Sequence, residues 1–233
     1  MASIWKHAGK QAVIDIDNLK ENAWKADGIL ESLQPWEKMV KDKLLLPGKL
    51  DHTQSQQAWL DHKAAFIQLG TWLANEMAKT IPPGFQLKVT DYWKISSSDK
   101  NPDDVFAGTG ESFVIPSKAP NAAAAKEFLR AVLSKEGSKN FAAKTQSLAS
   151  TLGSGEGLTA VSVTSANDVM KNAKATISFK FDAFYAQLDK ESQNLSEELM
   201  AGRLSAQQFM DKMQAAADKV AKDPSIKKQT RTE

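Results

Sequence analysis

The chain has 233 residues, a formal charge of +2 and 25% charged side chains. That length can bury a sizeable core, and so even a balance of charge excludes a nucleic-acid-binding surface. Cysteine is absent, which excludes disulfides, zinc–thiolate sites and a thiol nucleophile.

The opening, Met-Ala-Ser-Ile-Trp-Lys-His, lacks the charged and apolar regions of an export leader, so the chain as written is expected to carry no export signal. No apolar run approaches a membrane span. Between Asp27 and Lys43, Ile29, Leu30, Leu33, Trp36, Met39 and Val40 recur at helical spacing and predict an amphipathic helix. Pro35 falls inside it and is expected to kink it. A second helix is expected from near Thr53 or Ser55 to about His62, with Ala58 and Trp59 turned inward. Ala64 to Leu69 is short and apolar and predicts a buried strand that stops at Gly70.

Two prolines and a glycine break the chain at Ile81-Pro-Pro-Gly84. Alternating Phe85, Leu87 and Val89 predict a half-buried strand, and Phe113-Val-Ile-Pro116 predicts another. Asn121 is expected to cap a helix over residues 122–133 whose buried stripe is Phe128, Leu129, Val132 and Leu133. A helix over 135–144 follows, then a Gly/Ser/Thr-rich loop from Leu148 to Val163. Phe181 to Met200 predicts one helix closed by Gly202, and Ser205-Ala-Gln-Gln208 is a capping box opening the last one, which Pro224 ends. The basic run Lys227 to Arg231 lies in a tail where fraying is expected. The class is α/β with helices in excess.

The candidate chemistry centres on Trp72, Asn75 and Glu76, just beyond the expected strand. Short buried strands place ligand groups past their carboxyl ends, and an indole beside an amide and a carboxylate suits a pyranose, which has apolar faces and a polar rim. The plainer reading makes Trp72 core and Glu76 a solvated charge. No phosphate loop, nucleophile elbow or histidine pair at metal-ligand spacing occurs. No metal or cofactor is expected. Glu76 and Glu111 could serve as the acid and base of a glycosidase, a minor alternative to their accepting hydrogen bonds from sugar hydroxyls.

Four segments, in order, carry a family resemblance. They are Asp17 to Trp24, Lys63-Ala-Ala-Phe-Ile-Gln-Leu-Gly-Thr-Trp72, Gly110-Glu-Ser-Phe-Val-Ile-Pro116 with the helix from Asn121, and Met200-Ala-Gly-Arg-Leu-Ser-Ala-Gln-Gln-Phe-Met210. Together they resemble the C-terminal half of the extracellular sugar-binding proteins of ABC importers. Gly70 to Met77, Thr80 to Phe85 and Ala221 to Lys228 resemble the group that binds N-acetylglucosamine and N,N′-diacetylchitobiose.

The resemblance implies a periplasmic-binding-protein-like fold of two α/β lobes closing on a sugar. Trp72 would be a stacking platform, Glu76 and Glu111 acceptors for hydroxyl or acetamide groups, and Tyr185 a second aromatic. It implies a monomer that binds no nucleic acid, catalyses nothing, and passes its sugar to ABC permease subunits at the cell surface. Residues 1–85 would belong to the C-terminal lobe, 86–150 would pack towards the N-terminal lobe, and 151–233 would return with the terminal helices. Two departures stand out. Asp61-His62 occupies the family's usual glycine position before Lys63, and the chain is about half the family's length, so that the N-terminal lobe is expected to be largely missing. An interaction protein whose aromatics are all core is the remaining alternative.

Overall fold

The computed structural model describes residues 1–48, 50–107 and 113–233. In chain order the helices are α1 (Ala2–Ala8), α2 (Lys10–Asp17), α3 (Ile29–Lys41), α4 (His52–Leu60), α5 (Leu73–Glu76), α6 (Ala122–Val132), α7 (Lys135–Thr145), α8 (Val161–Asn172), α9 (Phe181–Phe184), α10 (Ala186–Met200) and α11 (Ala206–Lys222). Among the described residues the β structure is a single parallel bridge between Val105 and Thr176. The strands expected at 64–69, 85–89 and 113–116 are therefore corrected to irregular segments without a ladder. Phe66 is 76% exposed, so the apolar run that predicted a buried strand does not have partners on both faces.

The chain divides into two compact units. The first comprises Met1–Leu46, Tyr92–Phe106 and Lys174–Glu233; the second comprises Pro47–Asp91 and Ala107–Ala173.

The first unit holds the larger core. Trp24, 1% exposed, meets the rings of Phe181 and Phe209 edge-on, each at 6.2 Å, the arrangement aromatic quadrupoles favour. Its backbone N–H donates to the side-chain amide oxygen Oε1 of buried Gln214 at 2.9 Å. Around it α11 presents Phe209, Met210, Met213, Ala217 and Val220, and the capping box at Ser205 and Gln208 forms as expected. The helix expected from Phe181 to Met200 is broken at Tyr185 (φ −140°, ψ 88°), where α9 gives way to α10.

Asp17 holds the entry to α9. Its Oδ1 accepts the backbone N–H of Lys180 and Phe181 at 3.0 and 2.8 Å, fixing the start of α9. Its Oδ2 accepts from Arg231 Nη1 at 2.5 Å, while Arg231 also donates to Ser178 and lies 5.6 Å over the Trp5 ring. The C-terminal tail, expected to fray, is instead pinned through a buried ion pair. Leaving either charge without its partner there is costly.

The second unit has a smaller apolar cluster of Leu60, Leu73 and Met77, flanked by Trp59, Ile67, Leu69, Ile81, Phe85 and Leu87. Asp51 opens α4 with a full capping box. The helix closes in a Schellman motif: the N–H of His62 donates to Trp59 O and that of Lys63 to Ala58 O, both at 3.0 Å. His62 consequently sits at φ 59°, the left-handed region where glycine is cheapest. The same motif closes α10, with Gly202 at φ 72° in the equivalent place.

Two further expectations about this unit are corrected. Asn121 makes no side-chain cap on α6, and α6 buries no residue at all. Its amphipathic pattern was sufficient to form a helix, but Phe128 is 63% exposed and Leu133 50%.

Candidate functional site

Trp72, Asn75 and Glu76 are brought together on one turn of the second unit, with Trp72 at the N-cap of α5. Leu73, Ala74 and Met77 anchor the turn from its other face, packing on the cluster that includes Leu60. The apolar face is thus buried, while Asn75 and Glu76 are exposed and Trp72 is 56% exposed. A large indole left this open at a fixed turn is an available apolar surface.

Gly70 is what allows the indole its position. A Cβ on Gly70 would lie 1.7 Å from Trp72 Cζ3, so the ring folds back over the glycine backbone. Any side chain at residue 70 would displace it. The Gly-Thr-Trp order therefore sets the ring's orientation, a close-approach use of glycine rather than a turn requirement.

Glu76 is held from behind by α4. Its Oε2 accepts from Gln56 Nε2 at 2.7 Å, and His52 Nε2 lies 3.2 Å from both carboxylate oxygens. His52 and Gln56 are one helical turn apart, so both face α5. The Gln56 amide and then His52 hold the Glu76 carboxyl below its ordinary range, keeping it an acceptor at neutral pH. His52 Nε2 also lies 2.8 Å from Gln56 Nε2, and it cannot both donate to Glu76 and accept from Gln56; its tautomer selects one contact. Gln56 is fully buried and its Oε1 has no hydrogen-bond partner. Neither His52 nor Gln56 stood out in the sequence, although the capping motif at Asp51 and their spacing of four were visible there.

The other candidate residues lie elsewhere. Tyr185 belongs to the first unit and is 1% exposed, with its ring edge-on to Phe184 at 6.0 Å. Its hydroxyl accepts the backbone N–H of Gln229 at 3.0 Å. In this structure it serves the core and the C-terminal tail. Glu111 lies outside the described residues. Among the described residues no three His, Asp or Glu side chains stand close enough together to hold a metal ion. No helix among them is long and apolar enough to cross a membrane.

The first unit carries a second aromatic group that sequence reasoning passed over: Trp36, Tyr92 and Trp93, with centroids 4.8–6.3 Å apart. Burial pushes the Tyr92 hydroxyl above its ordinary value.

Residues 2–171 match the family model described as bacterial extracellular solute-binding protein. The chain belongs to that family. It is similar to the diacetylchitobiose-binding protein NgcE of Streptomyces coelicolor, at 29% identity across 96% of this chain and 49% of that protein. A solved chitin oligosaccharide-binding protein superposes with a TM-score of 0.76 at 16% identity, covering 94% of this chain and 55% of the other. At that identity the likeness establishes the fold: a helix-rich part of a periplasmic-binding-protein-like architecture. The chain spans about half the length of the relatives it matches.

Proposed function

We propose that this chain is the carbohydrate-recognising part of an ABC importer's solute-binding protein, and that its ligand is an N-acetylglucosamine-containing sugar such as diacetylchitobiose. The observation that carries this reading is the turn from Gly70 to Glu76. It presents an open indole beside an amide and an ionised carboxylate whose back is already held by Gln56 and His52. The similarity to a diacetylchitobiose-binding protein across nearly the whole chain supports the same choice of ligand.

In this mechanism the C–H face of one pyranose ring stacks on Trp72, contributing about 0.5–1.5 kcal/mol beyond the area it buries. Asn75 and Glu76 take the polar rim. A hydroxyl or acetamide N–H donating to the carboxylate adds about 1.5–3 kcal/mol. Glu111 is a further acceptor in this proposal. Tyr185 would act through the packing of α9 and α10, since its ring is enclosed. Sugar binding without turnover follows if Glu76 remains ionised, because an ionised carboxylate has no proton to give a leaving group. The intact protein would work as an extracellular monomer that delivers sugar to its permease subunits.

Equilibrium titration of intrinsic tryptophan fluorescence with diacetylchitobiose and with cellobiose tests the reading. Saturable quenching by diacetylchitobiose, with cellobiose at least about 10-fold weaker, corresponds to a preference of about 1.4 kcal/mol for the acetamido sugar. Equal response to both sugars removes the assignment of ligand, and no response to either removes the function. Release of chromophore from an N-acetylglucosaminide would instead favour the glycosidase alternative.

A further inference from the structure

Gln56 is the unusual member of the group behind Glu76. Glutamine is ordinarily a surface residue, yet Gln56 is 0% exposed on α4, whose start is fixed by the capping box at Asp51. Its Nε2 lies 2.7 Å from Glu76 Oε2 and 2.8 Å from His52 Nε2, while its Oε1 has no partner. A buried acceptor left unpaired is costly and calls for a reason. The reason lies on the opposite side of the amide. Turned over, the same carboxamide would set an oxygen 2.7 Å from a carboxylate that is ionised at neutral pH, and two acceptors at that distance repel. Both amide protons therefore point towards Glu76 and His52, and the orphaned oxygen is the consequence.

That orientation decides the tautomer of His52. Facing an amide N–H at 2.8 Å, its Nε2 must accept, since a proton there would oppose the amide proton head-on. Its distances of 3.2 Å to the two carboxylate oxygens are correspondingly long for a hydrogen bond. Neutral His52 thus carries its proton on Nδ1. Glu76 Oε2 is taken by Gln56, and Oε1 is left with no donor among the described residues, on a side chain that is 41% exposed.

We infer that Gln56 is a positioning residue of the sugar site: it clamps Glu76 by Oε2, keeps His52 from donating, and so reserves Oε1 for one hydroxyl or acetamide N–H of the ligand. This rests on the reading of the Gly70–Glu76 turn as a sugar site. It adds that recognition at Glu76 runs through a single oxygen, aimed by a buried residue that the ligand does not touch.

The test pairs a spectroscopic readout with a double-mutant cycle, both on the full chain. Long-range proton–nitrogen NMR of the imidazoles is recorded at about pH 8, above the range in which an imidazole ordinarily gains its second proton. With the His52 signals assigned by their loss in His52→Ala, Nε2 should be unprotonated in the parent. Gln56→Met fills a similar volume without donating, so it should melt within about 4 °C of the parent. It should also move the His52 proton to Nε2, where Glu76 becomes the acceptor. Affinity for diacetylchitobiose should fall at least about 10-fold in Gln56→Met. In a Glu76→Ala background the same change should cost less than about 2-fold, because Gln56 acts through that carboxylate.

Three results overturn the inference while leaving the sugar site standing: a sugar-binding parent with the His52 proton on Nε2, a Gln56→Met chain that binds as well as the parent, or equal losses with and without Glu76. If Gln56→Met does not fold, the parent's tautomer still decides. A parent that binds neither diacetylchitobiose nor cellobiose removes the sugar site itself, and the role of Gln56 with it.

Discussion

The two units are built from similar helices but bury them very differently. In the first, α11 buries Phe209, Met210, Met213 and Val220, and even the C-terminal tail is locked by Arg231 on Asp17. In the second, α6 is as amphipathic as any helix in the chain, yet buries nothing. Helix ends do not separate the units in this way. Schellman closures end α10 with Gly202 and α4 with His62, but both units place β-carbons in the left-handed region, at Leu19, Asn22 and Lys43 in the first and at His62 and Gln146 in the second. The first unit is dominated by its core, while the second carries the uncovered face of α6 and the candidate ligand turn. Elements that bind ligands are commonly drawn from the less stable end of a structure.

The comparison can be broken most severely at the buried ion pair. Arg231→Ala should cost about 3–5 kcal/mol in urea unfolding, because Asp17 is then left buried without its cation. Phe128→Ala, despite removing a larger apolar group, should stay within about 0.5 kcal/mol of the parent. Comparable losses at both positions would mean that the second unit is packed as well as the first.

A smaller effect is expected at the two helix ends closed by His62 and Gly202. His62→Gly should stabilise the chain by about 1 kcal/mol, the cost of a β-carbon at positive φ. Gly202→Ala should destabilise it by a similar amount, for the same reason with the sign reversed.

The smallest expected effect is electrostatic and confined to the first unit. Lys174 and Lys94 hold Asp103 down to about 2 from an ordinary 3.8. A carboxyl depressed in the folded state stabilises above its unfolded value and loses that contribution as pH falls from about 4 towards 2. Asp103→Asn should therefore flatten the acid limb of a stability–pH curve slightly, and less so in high salt because the group is exposed.

Much of this was legible in the sequence, for identifiable reasons. Capping residues and apolar spacing located α3, α4, α7 and α11, because those signals are local. The Gly70–Trp72–Glu76 turn was legible as a cluster of sugar-binding residue types. Its support was not, since Gln56 and His52 reach Glu76 from 20 and 24 positions away. The expected strands failed because apolar runs specify a strand only when other strands pair with them. The stripe on α6 predicts burial, although sequence periodicity indicates which face is apolar and not what covers it. The tail's composition predicts fraying, because a lone arginine gives no sign of a carboxylate more than two hundred residues earlier.

The most direct test of the central claim is a thermal melt of the parent chain and of Trp72→Ala, each with and without diacetylchitobiose at about 100 times its dissociation constant for the parent. Saturation at that level adds about 2.7 kcal/mol, which should raise the parent's midpoint by about 5–11 °C. The variant, equally stable without sugar, should lose most of that shift. A parent that the sugar does not move, or a variant that responds as fully as the parent, would contradict the assignment of Trp72 as the platform on which this chain binds its ligand.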